Sequence, residues 1–331
     1  LKRQIHGEVG FSSYLSGGID SSALAYILTK IQNSPIDTFS IQFENKEYDE
    51  SEAQKKIQKI INSNHYALKI SDQDISENFE KAINHSEAHL FRTAPVPMYL
   101  LSKKVKEVGH KVVFTGEGAD EVLLGYDIFG ELKIRKFWSK FPDSKIRPQL
   151  LQKLYYHLPQ FNNKRYFQLT KEFYLKNLKD LNNIFYSHQV RWNQYNVIKN
   201  FFNLDKDIYS RENLEKDFLE NLDKRFNQIE TIKRAQLIET NTLLSGYLLS
   251  SQGDRMTMAN GVEGRYPYLD DKLTLELATI SPQTKAPCLK LKNMLRKSFK
   301  GILPDEIVNR PKFAYQAPEA KVFFKNKSGL S

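Results

Sequence analysis

Short apolar runs alternate with helically spaced apolar residues over the first 130 positions of the chain. Four runs predict strands at about 9–15, 37–43, 65–70 and 111–114. Apolar residues at helical spacing predict helices at about 19–32, 49–63, 74–86 and 96–109. Such alternation is typical of a parallel sheet with helices on both faces. We therefore predict an α/β fold whose core is formed by residues 1–130.

The pattern changes in the middle of the chain, which is nearly free of glycine and helical in its apolar spacing. We predict a mostly helical segment over 131–250, followed by a helical and loop part over 251–331 that completes the active site. Aromatic residues in the middle segment recur at helix-like intervals, which favours core packing over a base-stacking surface. They are Phe137, Trp138, Tyr155, Tyr156, Phe185, Tyr186 and Trp192.

Composition narrows the class of protein. The chain has 331 residues, 40% of them hydrophobic and 27% charged, which is ordinary for a soluble globular protein. Its net charge of +10 is spread along the chain without a basic tail, so we expect polyphosphate-bearing small molecules rather than nucleic acid. Cys288 is the single cysteine, which excludes an internal disulfide. With neither a long apolar stretch nor a signal-peptide pattern, we expect a cytoplasmic protein without a membrane partner.

The most informative motif is S-G-G-I-D-S-S at 16–22, between the first predicted strand and the first predicted helix. Adjacent glycines, serine hydroxyls and a helix N-terminus together favour phosphate binding, although a plain tight turn is the alternative. Asp20 would repel phosphate unless Mg²⁺ lies between them. The motif lacks the spacing and the lysine of a Walker-type loop.

A second acidic motif, T-G-E-G-A-D-E at 115–121, follows the fourth predicted strand. Because ligands bind at the carboxyl ends of parallel strands, this motif and the glycine loop can share one site. Asp120 could join Asp20 in binding Mg²⁺, and Glu117 could orient a substrate or move a proton. Alternatively, Asp120 and Glu121 simply favour the start of a helix.

Two further motifs lie in the last third of the chain. The segment 253–270 pairs Asp254 with Arg255 and Glu263 with Arg265, which suggests buried ion pairs that brace a loop, with catalytic and architectural roles both open. Lys312 follows Arg-Pro in a glycine-free loop and could reach phosphate oxygens in a transition state. Taken alone, a lysine such as Lys312 is more often a surface residue.

These four motifs, in this order and together with F-R-T-A-P-V-P-M-Y at 91–99, resemble the synthetase domain of the glutamine-hydrolysing asparagine synthetases. That resemblance implies a PP-loop ATP pyrophosphatase fold. It also implies an ATP-dependent reaction in which the aspartate side-chain carboxylate attacks the α-phosphorus, giving an acyl-adenylate and pyrophosphate. Ammonia then displaces AMP to form asparagine.

The resemblance assigns roles to individual positions. Mg²⁺ would be held against the pyrophosphate by Asp20 and Asp120, while Lys312 offsets charge on the phosphates. Glu117 would assist adenylate formation and handle the proton of the attacking nitrogen. Arg92 would pair with a substrate carboxylate. ATP would contact Leu15, Ser16, Gly17, Gly18, Asp20, Ser21, Ile41, Thr115 and Gly116.

Several features depart from the commonest form of that family. Full-length members carry an N-terminal glutaminase with a catalytic cysteine, and Leu1 begins too late to include one, so we expect free ammonia or a glutaminase supplied elsewhere as nitrogen source. We expect further domains beyond either end, and a homodimer is one open arrangement. The sequence G-V-E-G-R-Y-P-Y and the loop around Lys312 are more similar to homologues from biosynthetic pathways. His89 stands where some relatives have a small hydroxyl residue.

Three other readings remain open. Relatives that close β-lactam or lasso-peptide rings use an internal amine, but the β-lactam enzymes have Tyr where Glu117 stands. An inactive scaffold would have no physical need for Asp20, Asp120 and Lys312. A metal site at His85 and His89 lacks an evident third ligand.

Overall fold

The computed structural model describes residues 1–7, 9–194 and 210–324. Its sheet is five-stranded, wholly parallel and ordered β3-β2-β1-β4-β5, which confirms the predicted fold class. Its strands are β1 (Phe11–Tyr14), β2 (Asp37–Phe43), β3 (Asn64–Ile70), β4 (Val112–Phe114) and β5 (Glu263–Arg265).

The register of the sheet brings together the two predicted loops, which begin at Ser16 and Thr115. Ser13 of β1 lies opposite Thr38 on one side and Phe114 on the other. The strands β1 and β4 therefore end side by side, and the chain segments that follow Tyr14 and Phe114 leave the same edge of the sheet.

The sheet carries helices on both faces. They are α1 (Ile19–Gln32), α2 (Ser51–Ile61), α3 (Asp72–Ser86), α4 (Pro95–Val108), α5 (Ala119–Leu123), α6 (Arg255–Met258), α7 (Asp271–Thr279), α8 (Asn293–Phe299) and α9 (Asp305–Val308), with a π-helix at Thr240–Asp254 and 3₁₀ turns at Lys2–Gln4, Pro267–Leu269 and Ala320–Phe323. Alternate residues of β4 show the two faces: Val112 and Phe114 pack in the cluster that includes Leu24 of α1, whereas Val113 packs with Leu101 of α4.

Local sequence explains where these helices begin and end. Ser71 caps α3, accepting a hydrogen bond from the Asp74 amide while the Asp74 carboxylate accepts one from Ser71. Pro95 opens α4, where its missing N–H has no helical partner to lose. Asn33 ends α1 in the left-handed conformation that asparagine tolerates. The predicted bounds of α1 and β2 are confirmed, and those of the other three predicted helices differ by at most two residues at either end.

The chain divides into two compact units. The first comprises residues 1–123, 240–281 and 292–331 and contains the sheet. The second comprises residues 124–239 and 282–291. Its helices are Asp127–Trp138, Leu150–Leu154, Lys164–Leu175, Gln189–Trp192, Arg211–Glu220, Thr231–Glu239 and Pro282–Lys285, with 3₁₀ turns at Arg147–Gln149, Pro159–Asn162 and Lys224–Gln228.

Aromatic packing in the second unit follows the prediction in part. Trp138, Tyr155, Phe185 and Tyr186 are buried in helical cores, as the spacing predicts. Two aromatic side chains predicted to pack in the core, Phe137 and Tyr156, are exposed instead. Phe137 is adjacent to the buried Trp138 on one helix, where adjacent residues do not share a face. Tyr156 follows Tyr155, at which the helix Leu150–Leu154 has already ended.

One prediction is wrong, and others extend beyond the residues that the structure describes. The segment 263–265 was expected to lie in a braced loop, but it forms the edge strand β5 beside β4. Positions 195–209 of the helical segment and 325–331 of the last part lie outside the described residues. Within the described ranges, no helix combines the length and the apolar character that a membrane span requires.

Candidate active site

The glycine loop leaves β1 and enters α1 in a conformation that only glycine fits comfortably. Gly17 has φ +80°, and a Cβ there would lie 2.8 Å from the Ala53 Cβ. The hydroxyl of Ser22 donates to the Gly18 carbonyl at 2.7 Å, and the hydroxyl of Ser21 accepts from the Ser16 amide at 3.1 Å. The loop is therefore braced by its own serines at the N-terminus of α1, where free N–H groups favour an anion.

A cavity of about 400 Å³ opens at this edge of the sheet. It brings together ten of the residues that the sequence singled out: Leu15, Ser16, Asp20, Ser21, Ile41, Thr115, Gly116, Glu117, Asp120 and Lys312. Leu15 is held in place by its amide, which donates to the Phe39 carbonyl at 2.8 Å. Gly17 and Gly18 belong to the same loop but do not line the cavity.

Two carboxylates and two lysines meet beside the glycine loop, and we call them the acid–lysine cluster: Asp20, Asp120, Lys292 and Lys312. Lys292 Nζ lies 2.5 Å from Asp20 Oδ2 and 2.6 Å from Asp120 Oδ1. Lys312 Nζ lies 2.6 Å from Asp120 Oδ2. The cluster therefore balances two negative charges with two positive ones, as buried charge requires.

The lysines dominate the protonation of the cluster. Burial raises the pKa of Asp120, but Lys292 and Lys312 outweigh that effect and bring this pKa down to about 2. Burial lowers the pKa of Lys312, yet Asp120 and Asp20 together hold it well above its ordinary value. At neutral pH, Asp120 is a carboxylate and Lys312 is a cation.

Lys312 lies in a segment without helix or strand, residues 309–319, which we call the lysine loop. Arg310 ties its start to the glycine loop and to Glu50, donating to the Gly17 carbonyl at 3.2 Å and approaching Glu50 Oε1 within 2.9 Å. Further along, the Tyr315 hydroxyl donates to the Ala94 carbonyl at 3.1 Å. These contacts hold Lys312 toward the cavity.

The donor set fits a hard divalent cation. Asp20 Oδ1 is buried and has no hydrogen-bond partner among the described residues, although Oδ2 of the same carboxylate binds Lys292. Mg²⁺ is typically bound by one or two carboxylates together with substrate phosphates. Asp20 and Asp120 supply such carboxylates at the mouth of the glycine loop.

Glu117 lines the cavity next to this cluster. Burial raises its pKa, and although Lys312 counteracts part of that effect, the pKa stands at about 7. A carboxyl group with that pKa exchanges its proton readily near neutral pH, which suits a general acid or base.

Arg92 lies outside the cavity lining. Its side chain is exposed, in the segment that precedes α4. The neighbouring Thr93 hydroxyl donates to the Pro318 carbonyl at 2.8 Å, which connects this segment to the end of the lysine loop. Arg92 therefore lies in a segment bound to the end of the lysine loop, outside the cavity lining.

The four charged residues of the third motif are not brought into the cavity. Glu263 and Arg265 form an ion pair of 2.7 Å, but it lies on the edge strand and the Glu263 side chain is 58% exposed. Asp254 is exposed, and Arg255 donates to the Ser86 carbonyl rather than to its neighbour. The expectation of buried ion pairs is therefore wrong for this segment, because Asp254 and Glu263 are exposed and Arg255 binds a backbone carbonyl instead.

The described residues also bear on the histidine alternative. Helix α3 ends at Ser86, and Glu87 adopts the left-handed conformation, so His89 does not share a helix face with His85. The His85 ring instead stacks on Tyr99 with centroids 5.6 Å apart. Across the described residues, no group of three or more His, Cys, Asp and Glu side chains could hold a metal.

Sequence reasoning missed Lys292 entirely. Lys292 is 3% exposed and bridges both aspartates, yet in the sequence it is one of several lysines between Lys285 and Lys300. No spacing rule marks it. Its left-handed backbone, with φ +53° just before α8, is visible only in the structure.

Comparison with known proteins places this arrangement in a family. Residues 1–328 match the family described as asparagine synthase. The chain is 26% identical over 324 residues to asparagine synthetase [glutamine-hydrolyzing] 1 of Bacillus subtilis (strain 168), covering 95% of this chain and 47% of that protein. It is also 27% identical over 347 residues to amidase chyE of Penicillium rubens, covering 96% and 51% of the two chains. It is 26% identical over 346 residues to amidase chry2 of Gibberella zeae, covering 96% and 50%. The chain thus spans about half the length of these relatives.

Proposed function

This chain belongs to the asparagine synthase family, and we propose that it activates a carboxylic acid with ATP and then transfers the acyl group to ammonia. The observation that carries the proposal is the acid–lysine cluster beside the glycine loop, with Glu117 in the same cavity. ATP is cleaved between its α and β phosphates, so the products are an amide, AMP and pyrophosphate.

The cavity suits a nucleotide triphosphate. Its phosphates would lie at the glycine loop, where serine hydroxyls and the amides at the start of α1 donate hydrogen bonds. Leu15 and Ile41 would contact the nucleoside. Lys292 and Lys312 would leave the aspartates and contact pyrophosphate oxygens, where their charge stabilises the leaving group.

Magnesium would be held by Asp20 and Asp120, and when bound it supplies positive charge that stabilises the departing pyrophosphate. That cation would take over the aspartate oxygens that the lysines now neutralise. The exchange keeps Asp20 and Asp120 paired whether the nucleotide is present or not.

Glu117 would act on the proton of the nitrogen nucleophile. Ammonia that attacks the acyl carbon must lose a proton as the amide forms, and a carboxylate with a pKa of about 7 can accept it. Its position in the cavity, next to the residues proposed to bind phosphate, supports this role.

L-Aspartate is our first candidate for the acceptor, with Arg92 pairing with its free carboxylate at the entrance. A second candidate is another carboxylic acid of a specialised biosynthetic pathway. The observation that favours the second is that two relatives bear the name amidase. Ammonia would come from solution or from a glutaminase, and the reaction would take place in the cytoplasm.

The experiment that tests this proposal measures pyrophosphate and AMP release with Mg-ATP, ammonium and a panel of carboxylic acids led by L-aspartate. Aspartate-dependent release with asparagine formed supports the first candidate. Release with another acid supports the second and keeps the mechanism. Absence of release with every acid, while ATP still binds, would contradict the proposed activity and favour an inactive scaffold.

A further inference from the structure

Three members of the acid–lysine cluster are positioned by one hydrophobic core. Asp20 lies in the first turn of α1, Asp120 in the first turn of α5, and Lys292 at the residue before α8. Each comes three or four residues before a leucine of the same buried cluster, and these leucines are Leu24, Leu123 and Leu295. Because the leucines pack in one core, the starts of the three helices are held together. The ammonium and the two carboxylates therefore meet at positions that the fold determines.

The backbone of Lys292 is held in an unfavourable conformation. Its φ of +53° lies in the left-handed region, which a lysine rarely adopts. Its carbonyl accepts a hydrogen bond from the Arg296 amide at 3.0 Å, and the Arg296 guanidinium donates to the carbonyls of Val308 and Arg310. Such a conformation persists only where the surrounding contacts impose it. The direction of the Lys292 side chain is thus imposed by its neighbours.

Lys292 fills the gap between the two aspartates. Its Nζ lies 2.5 Å from Asp20 Oδ2 and 2.6 Å from Asp120 Oδ1, and its side chain is 3% exposed. Lys312 approaches the other oxygen of Asp120, and its side chain is 25% exposed. A divalent cation bound by both Asp20 Oδ2 and Asp120 Oδ1 would need the space that Lys292 Nζ occupies. The ammonium and such a cation therefore exclude one another.

Every carboxylate oxygen of the pair is either in contact with a lysine or enclosed. Asp20 Oδ2 and both oxygens of Asp120 contact a lysine ammonium. Asp20 Oδ1 is inaccessible to solvent and has no hydrogen-bond partner among the described residues. A hydrated cation that arrives alone must therefore displace Lys292. That exchange is unfavourable, because it leaves a buried ammonium without its opposite charge.

A polyphosphate in the cavity would change this balance. The cavity is lined by Asp20 and Asp120 together with Ser16 and Ser21 of the glycine loop. Phosphate groups bound at that loop would bring negative charge close to the aspartates and would give the displaced ammonium a new partner. The cost of moving Lys292 is thus offset only when phosphate is present.

We infer that Lys292 is a positioning residue that takes the place of a divalent cation between Asp20 and Asp120, so that this pair binds the cation only together with a polyphosphate. The inference rests on the proposed function, which supplies both the cation and the nucleotide. It gives the two lysines of the cluster different roles. Lys292 holds the aspartates in place and excludes free cation, whereas Lys312 acts on the phosphates.

The test measures binding of Mn²⁺ alone, without nucleotide, from the electron paramagnetic resonance signal of the free ion. Lys292→Met keeps the apolar stem and empties the gap, so this variant should bind Mn²⁺ about 100-fold more tightly than wild type. That ratio corresponds to a wild-type site in which Lys292 has left the gap in about 1% of molecules. Adding Asp20→Asn to the variant should abolish the gain. Equal Mn²⁺ affinity in wild type and Lys292→Met, or a gain that survives Asp20→Asn, overturns the inference.

The matched control is Lys312→Met, which removes the same charge from the same cluster but leaves Lys292 between the aspartates. We expect its gain in Mn²⁺ affinity to be much smaller than that of Lys292→Met. Equal gains in the two variants would show that net charge alone, rather than the position of Lys292, excludes the cation, and would overturn the inference. Lys290→Met, at an exposed lysine, should bind Mn²⁺ as wild type does.

Thermal unfolding gives a second measurement. Without divalent cation, Lys292→Met should melt at a lower temperature than wild type, because two buried carboxylates lose a shared counter-charge. Mn²⁺ should raise the melting temperature of the variant and leave that of wild type unchanged. If the variant does not fold even with Mn²⁺ present, a cation cannot replace the ammonium and the inference fails.

These measurements separate the inference from the proposed function, because Mn²⁺ binding is recorded without turnover. If no acid supports pyrophosphate release but Lys292→Met gains Mn²⁺ affinity at Asp20, the inference about the cation site stands and the proposed activity fails. If wild type releases pyrophosphate but binds Mn²⁺ without nucleotide as tightly as Lys292→Met does, the activity stands and the inference fails.

Discussion

The candidate site has two sides built from opposite kinds of polar group. On one side, the acid–lysine cluster carries two negative and two positive charges whose atoms lie 2.5 to 2.6 Å apart. On the other side, Tyr14 and Tyr315 line the cavity with neutral side chains, and the Tyr14 hydroxyl has no hydrogen-bond partner among the described residues. Glu117 lines the same cavity, and the charges of the acid–lysine cluster act on its pKa.

This difference indicates how each side responds to its ligand. The charged side is already neutralised by its own lysines, so a ligand there must exchange partners rather than supply the first one. The neutral side holds no ion pair, so a ligand there displaces no charged partner. Substitutions on the charged side should therefore damage folding and chemistry together.

The largest effect is expected for Asp120→Asn. Asp120 contacts both lysines, and its loss leaves Lys292 and Lys312 with a surplus of buried positive charge. We expect pyrophosphate release to fall by about 10³-fold, the upper range for losing one electrostatic contact at a reacting centre, together with a lower melting temperature. Single-turnover pyrophosphate release and thermal unfolding measure the two effects.

Its matched control is Asp270→Asn. Asp270 also pairs with a basic side chain, approaching Arg3 within 2.6 Å, but the Arg3 side chain is 58% exposed. Activity should be unchanged in this variant. Full activity in Asp120→Asn would remove the charged side from the mechanism.

Lys312→Met should act next most strongly. The variant keeps the apolar stem and removes the cation that approaches Asp120, so charge on the departing pyrophosphate loses one contact. We expect adenylate formation to slow by about 10²-fold, with ATP affinity largely retained. Rapid-quench kinetics compares this variant with Lys290→Met, an exposed lysine. Equal rates for the two variants would show that Lys312 does not contribute to adenylate formation.

Glu117→Gln tests whether this carboxyl group accepts a proton during the reaction. If Glu117 accepts a proton from the nitrogen nucleophile, wild-type turnover at a fixed concentration of free ammonia rises with pH and levels off above about 7. The variant should lose most of its turnover, by about 10²-fold, and should lack this step in the pH profile. If the variant keeps this rise of turnover with pH, another group causes it.

The same pKa makes a prediction about stability. A carboxyl group whose pKa is raised to about 7 in the folded chain holds its proton there when the unfolded chain has released it. Stability from this group is therefore present at low pH and is lost as pH rises toward 7. The melting temperature of Glu117→Gln, measured relative to wild type, should increase between pH 5 and pH 8. A constant difference would contradict the raised pKa.

Sequence periodicity accounts for most of the first unit because its elements are long and regular. The helix α1 and strand β2 were predicted with their bounds, since each has a continuous apolar pattern and a clear breaker at its end. Strand β5 was missed because Glu263-Gly264-Arg265 has three residues, charged ends and no apolar run. Its pairing with β4 is set by tertiary structure.

The residues of the candidate site also differ in whether the sequence predicts them. Asp20, Glu117 and Asp120 stand out in the sequence because glycines surround them at strand ends. Lys292 does not, because its significance comes from a left-handed turn that directs one lysine among several into a buried position.

The smallest effect is expected for Glu263→Gln, which sets a baseline for both sides of the site. Glu263 pairs with Arg265 at 2.7 Å, within about 0.2 Å of the contacts in the acid–lysine cluster, but its side chain is 58% exposed. Water screens such a pair, and exposed ion pairs contribute about 0–1 kcal/mol. We expect thermal unfolding to shift by no more than a few degrees and the KM values for ATP and acceptor to be unchanged. A loss of activity comparable with that of Asp120→Asn would show that distance alone, rather than burial beside the cavity, decides which ion pairs serve the reaction.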